Sequence, residues 1–248
     1  MDRRLHRDSD FRLRRTAVPG ALVALLALLV LAIVGLTACG GGGAGADPQT
    51  VLAGASVNMK TIKGFHFVYE VHKPAGAEPG SGLEIGRITG DINTDGNMQA
   101  TVDVTQGGLP LSLEFIAVGD THYIRDPLSQ KWTSIPAAKS PVGTLNLSTG
   151  TIRILDRITE TSYEGQESKG GVKCHHISGK VAAEEVKAIA GMVDTTNLFP
   201  TDIWVGVGDG LVYEVDIEGP ATPNEAEGIW RSIVLSELDK SVDIRAPQ

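Results

Sequence analysis

Cys39 has the clearest chemical context in this chain. It closes the stretch Leu36-Thr37-Ala38-Cys39, which follows a run of apolar and small residues over 21–38 and precedes four glycines. Small residues at Thr37 and Ala38 let a peptidase reach the backbone, and the cysteine exposed by cleavage can then carry acyl chains. The pattern therefore predicts a lipobox with acylation of Cys39.

The segment before Cys39 has the other parts of an export signal. A basic stretch comes first and the apolar run follows it, which is the order found in secretory signals. A plain transmembrane anchor remains the alternative, because the run approaches the roughly 20 apolar residues that a membrane span needs. Either interpretation places the rest of the protein outside the cytoplasm at a membrane. The basic residues are Arg3, Arg4, Arg7, Arg12, Arg14 and Arg15.

Cys174-His175-His176 could suggest a metal site or a thiol nucleophile. On a strand, however, Cys174 and His176 share one face while His175 points to the other, so the three cannot converge on one ion. We interpret them as ordinary strand residues. Once Cys39 is acylated, Cys174 has no partner for an internal disulfide, so the fold must be held by its core.

Two glycine-containing stretches match ligand-binding loops only in part. Residues 91–96 fit the first half of a calcium loop, but the twelfth position is Val102, where a glutamate is needed. Residues 206–210 depart from a dinucleotide fingerprint because they lie between predicted strands rather than before a helix. We predict a hairpin turn at each place. The chain has no G-x-S-x-G or H-E-x-x-H motif of a hydrolase.

Charge narrows the range of partners. The chain has 22 Lys and Arg against 30 Asp and Glu, and the leader over residues 1–38 removes six Arg and three Asp. Residues 39–248 thus keep 16 basic and 27 acidic side chains, a net charge of −11. Such an acidic domain repels nucleic acid and anionic headgroups at long range, so nucleic acid is not an expected partner.

Hydrophobic periodicity predicts one α+β domain over residues 47–248, after a glycine-rich tether over 39–46. Asp47-Pro48 can start a helix that Gly64 can close, and the period changes there from helical to two. Short alternating segments favour a meandering antiparallel sheet, interrupted by helical stripes at 152–158 and 182–193. Glu184-Glu185 is expected on a solvated helix face. The predicted strands are 65–72, 83–92, 98–104, 111–118, 121–125, 131–135, 161–166, 172–179, 203–207, 211–217 and 229–238.

The order of these features resembles the LppX and LprG family of mycobacterial lipoproteins. No single motif is specific, and the resemblance depends on their sequence along most of residues 39–248. It lies in the stretch that ends at Cys39, in 172–181 with Gly179, in Trp204, and in 210–212, 233–236 and 242–247.

The resemblance implies a strongly curved, half-barrel antiparallel sheet with helices across its concave face, similar to the LolA and LolB carriers. It also implies a protein that is not an enzyme, uses no cofactor, and shelters the acyl chains of envelope lipids between sheet and helices. The implied partners are a membrane, a lipid or glycolipid cargo, and a lipid exporter.

The alternating apolar faces supply the candidate lining of such a cavity. Each methylene moved from water into it contributes about 0.8 kcal/mol, so a long chain can bind without specific polar contacts. Alternation looks the same for a filled core and for a hollow one, so both remain open at this point. The candidates are Phe65, Phe67, Tyr69, Val102, Val104, Leu111, Leu113, Phe115, Tyr213 and Val215 from strands, and Leu52, Met59, Ile189 and Met192 from helices.

Two other functions remain open from the sequence. A surface or assembly lipoprotein could use the same sheet as a protein-binding scaffold, with a filled core and no lipid cargo. A hydrolase is disfavoured because the chain lacks a recognisable nucleophile and base motif. Turnover that Cys174→Ala abolishes would support it.

Overall fold

The computed structural model describes residues 45–77, 82–140, 146–191 and 193–248, and within them eleven strands form one antiparallel sheet. Cys39, with its predicted cleavage and acylation, lies outside the described residues, as does Met192. The strands are β1 Gly64–His72, β2 Leu83–Asn93, β3 Met98–Gln106, β4 Leu109–Val118, β5 Thr121–Arg125, β6 Trp132–Pro136, β7 Thr159–Lys169, β8 Val172–Ala182, β9 Leu198–Gly206, β10 Val212–Glu218 and β11 Trp230–Ser236.

The strand order across the sheet is β6-β5-β4-β3-β2-β1-β11-β10-β9-β8-β7. The first strand therefore pairs with the last, and two meanders extend from this central pair in opposite directions. The sheet is curved and unclosed, with β6 and β7 as its terminal strands. This arrangement confirms the predicted α+β class with a curved antiparallel sheet.

Three α-helices accompany the sheet in the described part of the chain: α1 Pro48–Met59, α2 Leu147–Arg157 and α3 Ala183–Ala190. The predicted start of α1 is confirmed, since an Asp47 carboxylate oxygen accepts a hydrogen bond from the Thr50 amide at 2.8 Å. The helix ends at Met59, however, and Gly64 begins β1 instead of closing the helix. None of the helices described is long and apolar enough to cross a membrane.

The start of α2 shows why its predicted boundary was late. The apolar stripe suggested a helix from residue 152, whereas the helix begins at Leu147. The Asn146 side-chain oxygen accepts a hydrogen bond from the Thr149 amide at 2.9 Å and so caps the helix five residues earlier. The first turn carries little apolar periodicity, and periodicity alone therefore missed it.

Both predicted hairpin turns are confirmed. Between β2 and β3, the Asn93 side-chain oxygen accepts hydrogen bonds from the amides of Asp95 and Asn97, each at 3.0 Å. Between β9 and β10, the Gly210 amide donates to the Gly206 carbonyl at 2.9 Å. The letters that resemble a calcium loop and a dinucleotide loop thus serve chain reversal.

The expectation of a solvated Glu184-Glu185 face is wrong for its second residue. Glu185 is buried, and a carboxylate oxygen accepts a hydrogen bond from Arg153 Nε at 2.8 Å. Glu184 remains exposed. The error arose because α3 packs against α2, and this tertiary contact cannot be read from the charge pattern of α3 itself.

Candidate functional site

The concave face of the sheet and one side of each helix enclose a single apolar cluster, which we call the concave interior. In antiparallel pairs, residues directly opposite each other lie on the same face, so the register identifies this face strand by strand. Helix α1 contributes Leu52, Ala55 and Met59, and α3 contributes Val186 and Ile189. All five are buried.

The helices cover the two halves of the sheet unequally. They pack mainly on β7, β8 and β9, and we call β7–β10 the covered half. The strands β2–β6 form the outer half, whose concave face still carries buried apolar side chains, among them Ile88, Val102 and Phe115. The concave interior therefore extends beyond the strands on which the helices are mainly packed.

A row of opposed residues across β1–β4 shows how the outer half bends. Phe67 lies opposite Gly90, Gly90 opposite Ala100, and Ala100 opposite Phe115. A Cβ at Gly90 would lie 2.7 Å from the Ala100 Cβ and against the Gln99 carbonyl, so only glycine fits. Glycine in a strand permits such a close approach and a sharp local bend. Two large side chains thus flank two small ones on the concave face.

The concave interior reaches the surface at the far side of the outer half. A pocket of about 270 Å³ lies over β4–β6 and is lined by apolar side chains from Leu113, Ile124 and Ile135. Leu113 and Ile124 also pack against the buried cluster. Ligand pockets usually measure roughly 300–1,000 Å³, so this opening is the size of a small subsite. Through these two side chains it borders the buried apolar cluster.

The predicted lining residues other than Tyr213 and Met192 fall into three groups. Leu113 is partly buried at the edge of the cluster, and Leu111 is 39% exposed near the start of β4. Whether any of them contacts a lipid remains a prediction. The residues that the structure brings together as buried members of the cluster are Leu52, Met59, Phe65, Phe67, Tyr69, Val102, Val104, Phe115, Ile189 and Val215.

Tyr213 lies apart from the concave interior in which the sequence placed it. A bulge between Val212 and Glu214 shifts the register of β10, so strict alternation from Val215 no longer holds. The Tyr213 hydroxyl donates to an Asp209 carboxylate oxygen at 2.7 Å. Partial burial, followed by this hydrogen bond and the charge of Asp209, raises the pKa of Tyr213 to about 12.

Two polar residues on the concave face were missed by the sequence analysis. Arg231 is buried and donates to the Gly219 carbonyl at 3.0 Å, with Glu225 as its ion-pair partner. Its signal was its position in phase with Ile233 and Leu235, two apolar residues of β11. Burial raises the pKa of the neighbouring Tyr69 phenol, and the positive charge of Arg231 offsets part of that rise.

His122 is the second missed residue. It lies in phase with Ile124, is buried, and makes an edge contact with the Phe115 ring at 4.9 Å between centroids. Burial lowers the pKa of His122 and so favours its neutral form. Among the described residues, its Nδ1 atom has no hydrogen-bond partner. This buried nitrogen beside Phe115 is therefore a polar atom of the concave face without a hydrogen bond.

Two of the three residues Cys174-His175-His176, which could suggest a metal site or a nucleophile, lie on the convex face. His176 stacks on Trp204 with ring centroids 4.5 Å apart, and its Nε2 lies 2.7 Å from an Asp202 oxygen. His175 faces the other way, as predicted, and its Nδ1 lies 3.1 Å from the Tyr163 hydroxyl. Cys174 is a buried free thiol whose pKa burial raises, which disfavours the reactive thiolate. The described ranges hold no cluster of three potential metal ligands.

Comparison with known proteins agrees with this architecture. The chain is 28% identical over 235 residues to the lipoarabinomannan carrier protein LprG of Mycobacterium tuberculosis H37Rv, which covers 91% of this chain and 94% of the relative. The LprG protein of Mycobacterium bovis BCG matches to the same extent.

Solved structures with a similar fold include two mycobacterial lipoproteins. LprF from Mycobacterium bovis aligns with a TM-score of 0.63 at 19% identity, covering 81% of this chain and 96% of LprF. LppX from Mycobacterium tuberculosis aligns with a TM-score of 0.55 at 15% identity, covering 80% of this chain and 98% of LppX. The family described as LppX_LprAFG lipoprotein matches residues 47–244. The chain therefore belongs to the LppX_LprAFG lipoprotein family.

Proposed function

We propose that this protein is an extracytoplasmic carrier that binds the acyl chains of envelope lipids in its concave interior and takes part in their transport. The observation that carries the proposal is the continuity of that interior. It runs from the buried cluster under the helices, through the outer half, to the pocket lined by Leu113, Ile124 and Ile135.

The physical basis for binding is apolar burial. Each methylene transferred from water contributes about 0.8 kcal/mol, so even the portion of an acyl chain that fills the outer pocket adds several kcal/mol. Interiors that hold flexible chains need few polar contacts, and the concave face supplies few. We propose that the predicted lining residues, including Leu111 and Met192, contribute to this surface as the chain enters.

The cargo class follows from the relatives. The LprG relatives are named carriers of lipoarabinomannan, and the alignment with them covers 91% of this chain. We propose the same class of cargo for this protein, namely lipid or glycolipid with acyl chains. Membership in a lipoprotein family also supports a binding role rather than catalysis.

We propose that Cys39 anchors the protein to the outer face of the cell membrane after removal of residues 1–38. The residues from 39 to 46 would form the tether, and a lipid exporter would hand cargo to the domain at residues 47–248. Metabolic labelling with a fatty acid tests the anchor. Labelling should be lost in Cys39→Ala, and labelling that survives would contradict acylation at this residue.

Lipid extraction tests the carrier proposal directly. Residues 45–248 form one compact unit, and this fragment, exported and purified, should yield acylated lipid in organic extracts by mass spectrometry. Leu113 lines the pocket. Leu113→Asp should lower the amount of recovered lipid about tenfold or more, because an acyl chain bound there would bury an unpaired carboxylate.

Val234→Asp is the matched control, because Val234 is 38% exposed and lies on the convex face. Its lipid content should equal that of the unsubstituted protein. A fragment that carries no lipid, yet forms a stable crosslinked complex with an envelope protein, would contradict the carrier and favour the scaffold function.

A further inference from the structure

Exposed apolar side chains are concentrated at one end of the sheet. Of the eight large hydrophobic residues with high exposure in the described part of the chain, five lie at the end where β1 finishes and β2 begins. We call it the leucine end. The strand register places the β3–β4 and β5–β6 turns and the start of β9 at this same end. The five are Leu83, Leu109, Leu111, Leu128 and Leu198.

Three of these leucines continue the concave interior. Leu83 and Leu109 both lie opposite Gln106, and Leu111 lies opposite the buried Val104. The three therefore share the concave face, where their exposures are 39%, 69% and 39%. The apolar surface of the interior thus continues through Val104 and Leu111 to solvent at the leucine end, where Gln106 lies between Leu83 and Leu109.

The β3–β4 turn presents Leu109 at the extremity of the sheet. Gly107 and Gly108 have φ values of 57° and 81°, the pair of left-handed conformations that a type I′ hairpin requires. This two-residue turn adds little polar backbone between the strands. Leu109 follows it at once, so an apolar side chain stands at the tip rather than a longer polar loop.

Two of the three tryptophans stand at the same end. Trp132 begins β6 and Trp230 begins β11, and both rings are partly exposed. Tryptophan is enriched where proteins meet the interface of a bilayer, because its ring is apolar and its N–H is polar. The third, Trp204, lies near the last residue of β9, toward the opposite end of the sheet.

Two ion pairs compensate part of the charge at the leucine end. Lys73 pairs with Glu84 at 2.7 Å, and Arg125 pairs with Glu114 at 2.9 Å. The domain as a whole is acidic, which disfavours approach to anionic headgroups. Local pairing weakens that repulsion at this end and leaves apolar insertion as the attractive force.

The described domain begins near the leucine end. Gly45, the first described residue, is adjacent to the Tyr163 ring, and Gln49 donates to the Thr161 hydroxyl at 3.0 Å, near the start of β7. Thr159, at the start of β7, lies at the leucine end. Residues 39–44 can extend at most about 20 Å, so acyl chains on Cys39 would keep this part of the domain near a bilayer.

We infer that the leucine end docks on the outer surface of the lipid bilayer, and that cargo passes between the bilayer and the concave interior across Leu83, Leu109 and Leu111. The inference rests on the proposed carrier function and the acylated anchor. Docking is weak by itself and is made effective by the tether, which raises the local concentration of the domain at the membrane.

Fluorescence quenching tests the orientation. The full acylated chain is reconstituted into phosphatidylcholine vesicles with and without brominated lipid, and carries an environment-sensitive dye on Leu109→Cys. The matched control is Val207→Cys, because Val207 is 41% exposed and follows β9 at the opposite end. The unsubstituted chain, whose Cys174 is buried, is the labelling blank.

Brominated lipid should quench the Leu109 dye and leave the Val207 dye nearly unchanged, at low and high salt alike. Equal quenching at the two sites, or stronger quenching at Val207, would overturn the inference. Because this readout does not need bound cargo, it separates the docking surface from the carrier function. Absence of extractable lipid would instead contradict the carrier function.

A transfer assay tests the path. Leu109→Ser should slow uptake of a fluorescent acyl lipid from the vesicle about tenfold, because the rim then inserts less apolar surface. Val57→Ser, at a position of similar exposure on α1, should leave uptake unchanged. Lipid loaded from detergent should be retained equally by both variants. Unchanged uptake by Leu109→Ser would contradict passage across this rim.

Discussion

The two halves of the sheet differ in what covers the same apolar face. In the covered half, α1, α2 and α3 pack on β7, β8 and β9 and cover the apolar face there. In the outer half, the apolar face continues to the pocket over β4–β6 and to the leucine end. The comparison suggests a division of labour, in which one half supplies stability and the other supplies room for a guest.

The largest expected contrast is in stability. Ile203 is fully buried on β9. Ile203→Ala should lower the free energy of unfolding by about 2–5 kcal/mol, because the smaller side chain leaves an unfilled cavity in the covered half. Leu113→Ala, at the partly buried edge of the outer half, should cost only about 1 kcal/mol. Urea unfolding of the lipid-free protein measures both. Equal losses would erase the distinction between the halves.

Bound lipid should affect the outer half more. At a lipid concentration 100 times the Kd, binding stabilises the native state by about 2.7 kcal/mol. Amide hydrogen exchange should show added protection in β4–β6 and little change in β8 and β9, because only the former face an opening. Protection confined to β8 and β9 would reverse the assignment.

The covered half carries a pH-sensitive carboxylate on its convex face. Partial burial, and next the charge of Glu214, raise the pKa of Asp216 to about 7, with Lys169 opposing and Asp202 and Glu218 adding to the shift. The native state therefore holds a proton that the unfolded chain releases near pH 4, so stability falls as pH rises from about 4 to 7.

Asp216→Asn should remove this pH dependence. Because the site is partly open to solvent, which screens the interaction, the expected gain in the free energy of unfolding at pH 8 is only about 1 kcal/mol. Urea unfolding at pH 5 and pH 8 measures it, and the variant should show no gain at the acid end. A loss of stability at pH 8 would contradict the assignment of the raised pKa.

The smallest effect concerns His122 in the outer half, with the opposite sign. Because burial lowers its pKa, the unfolded chain binds a proton more readily, and stability is lost as pH falls below about 6.5. His122→Phe should reduce the stability lost at acid pH. This change in the free energy of unfolding should be smaller than the gain that Asp216→Asn produces at pH 8. Unfolding at pH 5.5 and 7.5 compares the two variants, and an unchanged acid slope in His122→Phe would count against the buried neutral imidazole.

The sequence predicted most of this fold because strand alternation and turn residues are local signals. Each predicted strand corresponds to an observed one, and Asp47-Pro48 marked the start of α1 correctly. The boundaries that failed depended on contacts between distant residues or on capping, as at Asn146. The burial of Glu185 likewise depends on Arg153, which lies 32 residues away.

The candidate site was only partly predictable for a related reason. Periodicity assigns residues to a face, and the structure buries Phe67 and Phe115, two of the residues so assigned, in the apolar cluster. It could not show the bulge that displaces Tyr213, since one extra residue in a strand leaves no mark in composition. Nor could it show which half the helices cover, because that depends on how three separated segments pack together.

The strands β6 and β7 end the sheet on opposite sides and do not pair with each other. A closed barrel has a diameter fixed by its strand count and stagger, so its bore suits a narrow range of occupants. An unclosed sheet can change its width by curving more or less, while every pair of neighbouring strands keeps its hydrogen bonds. For the proposed carrier, such a sheet would let one chain accommodate molecules of different girth without altering its topology.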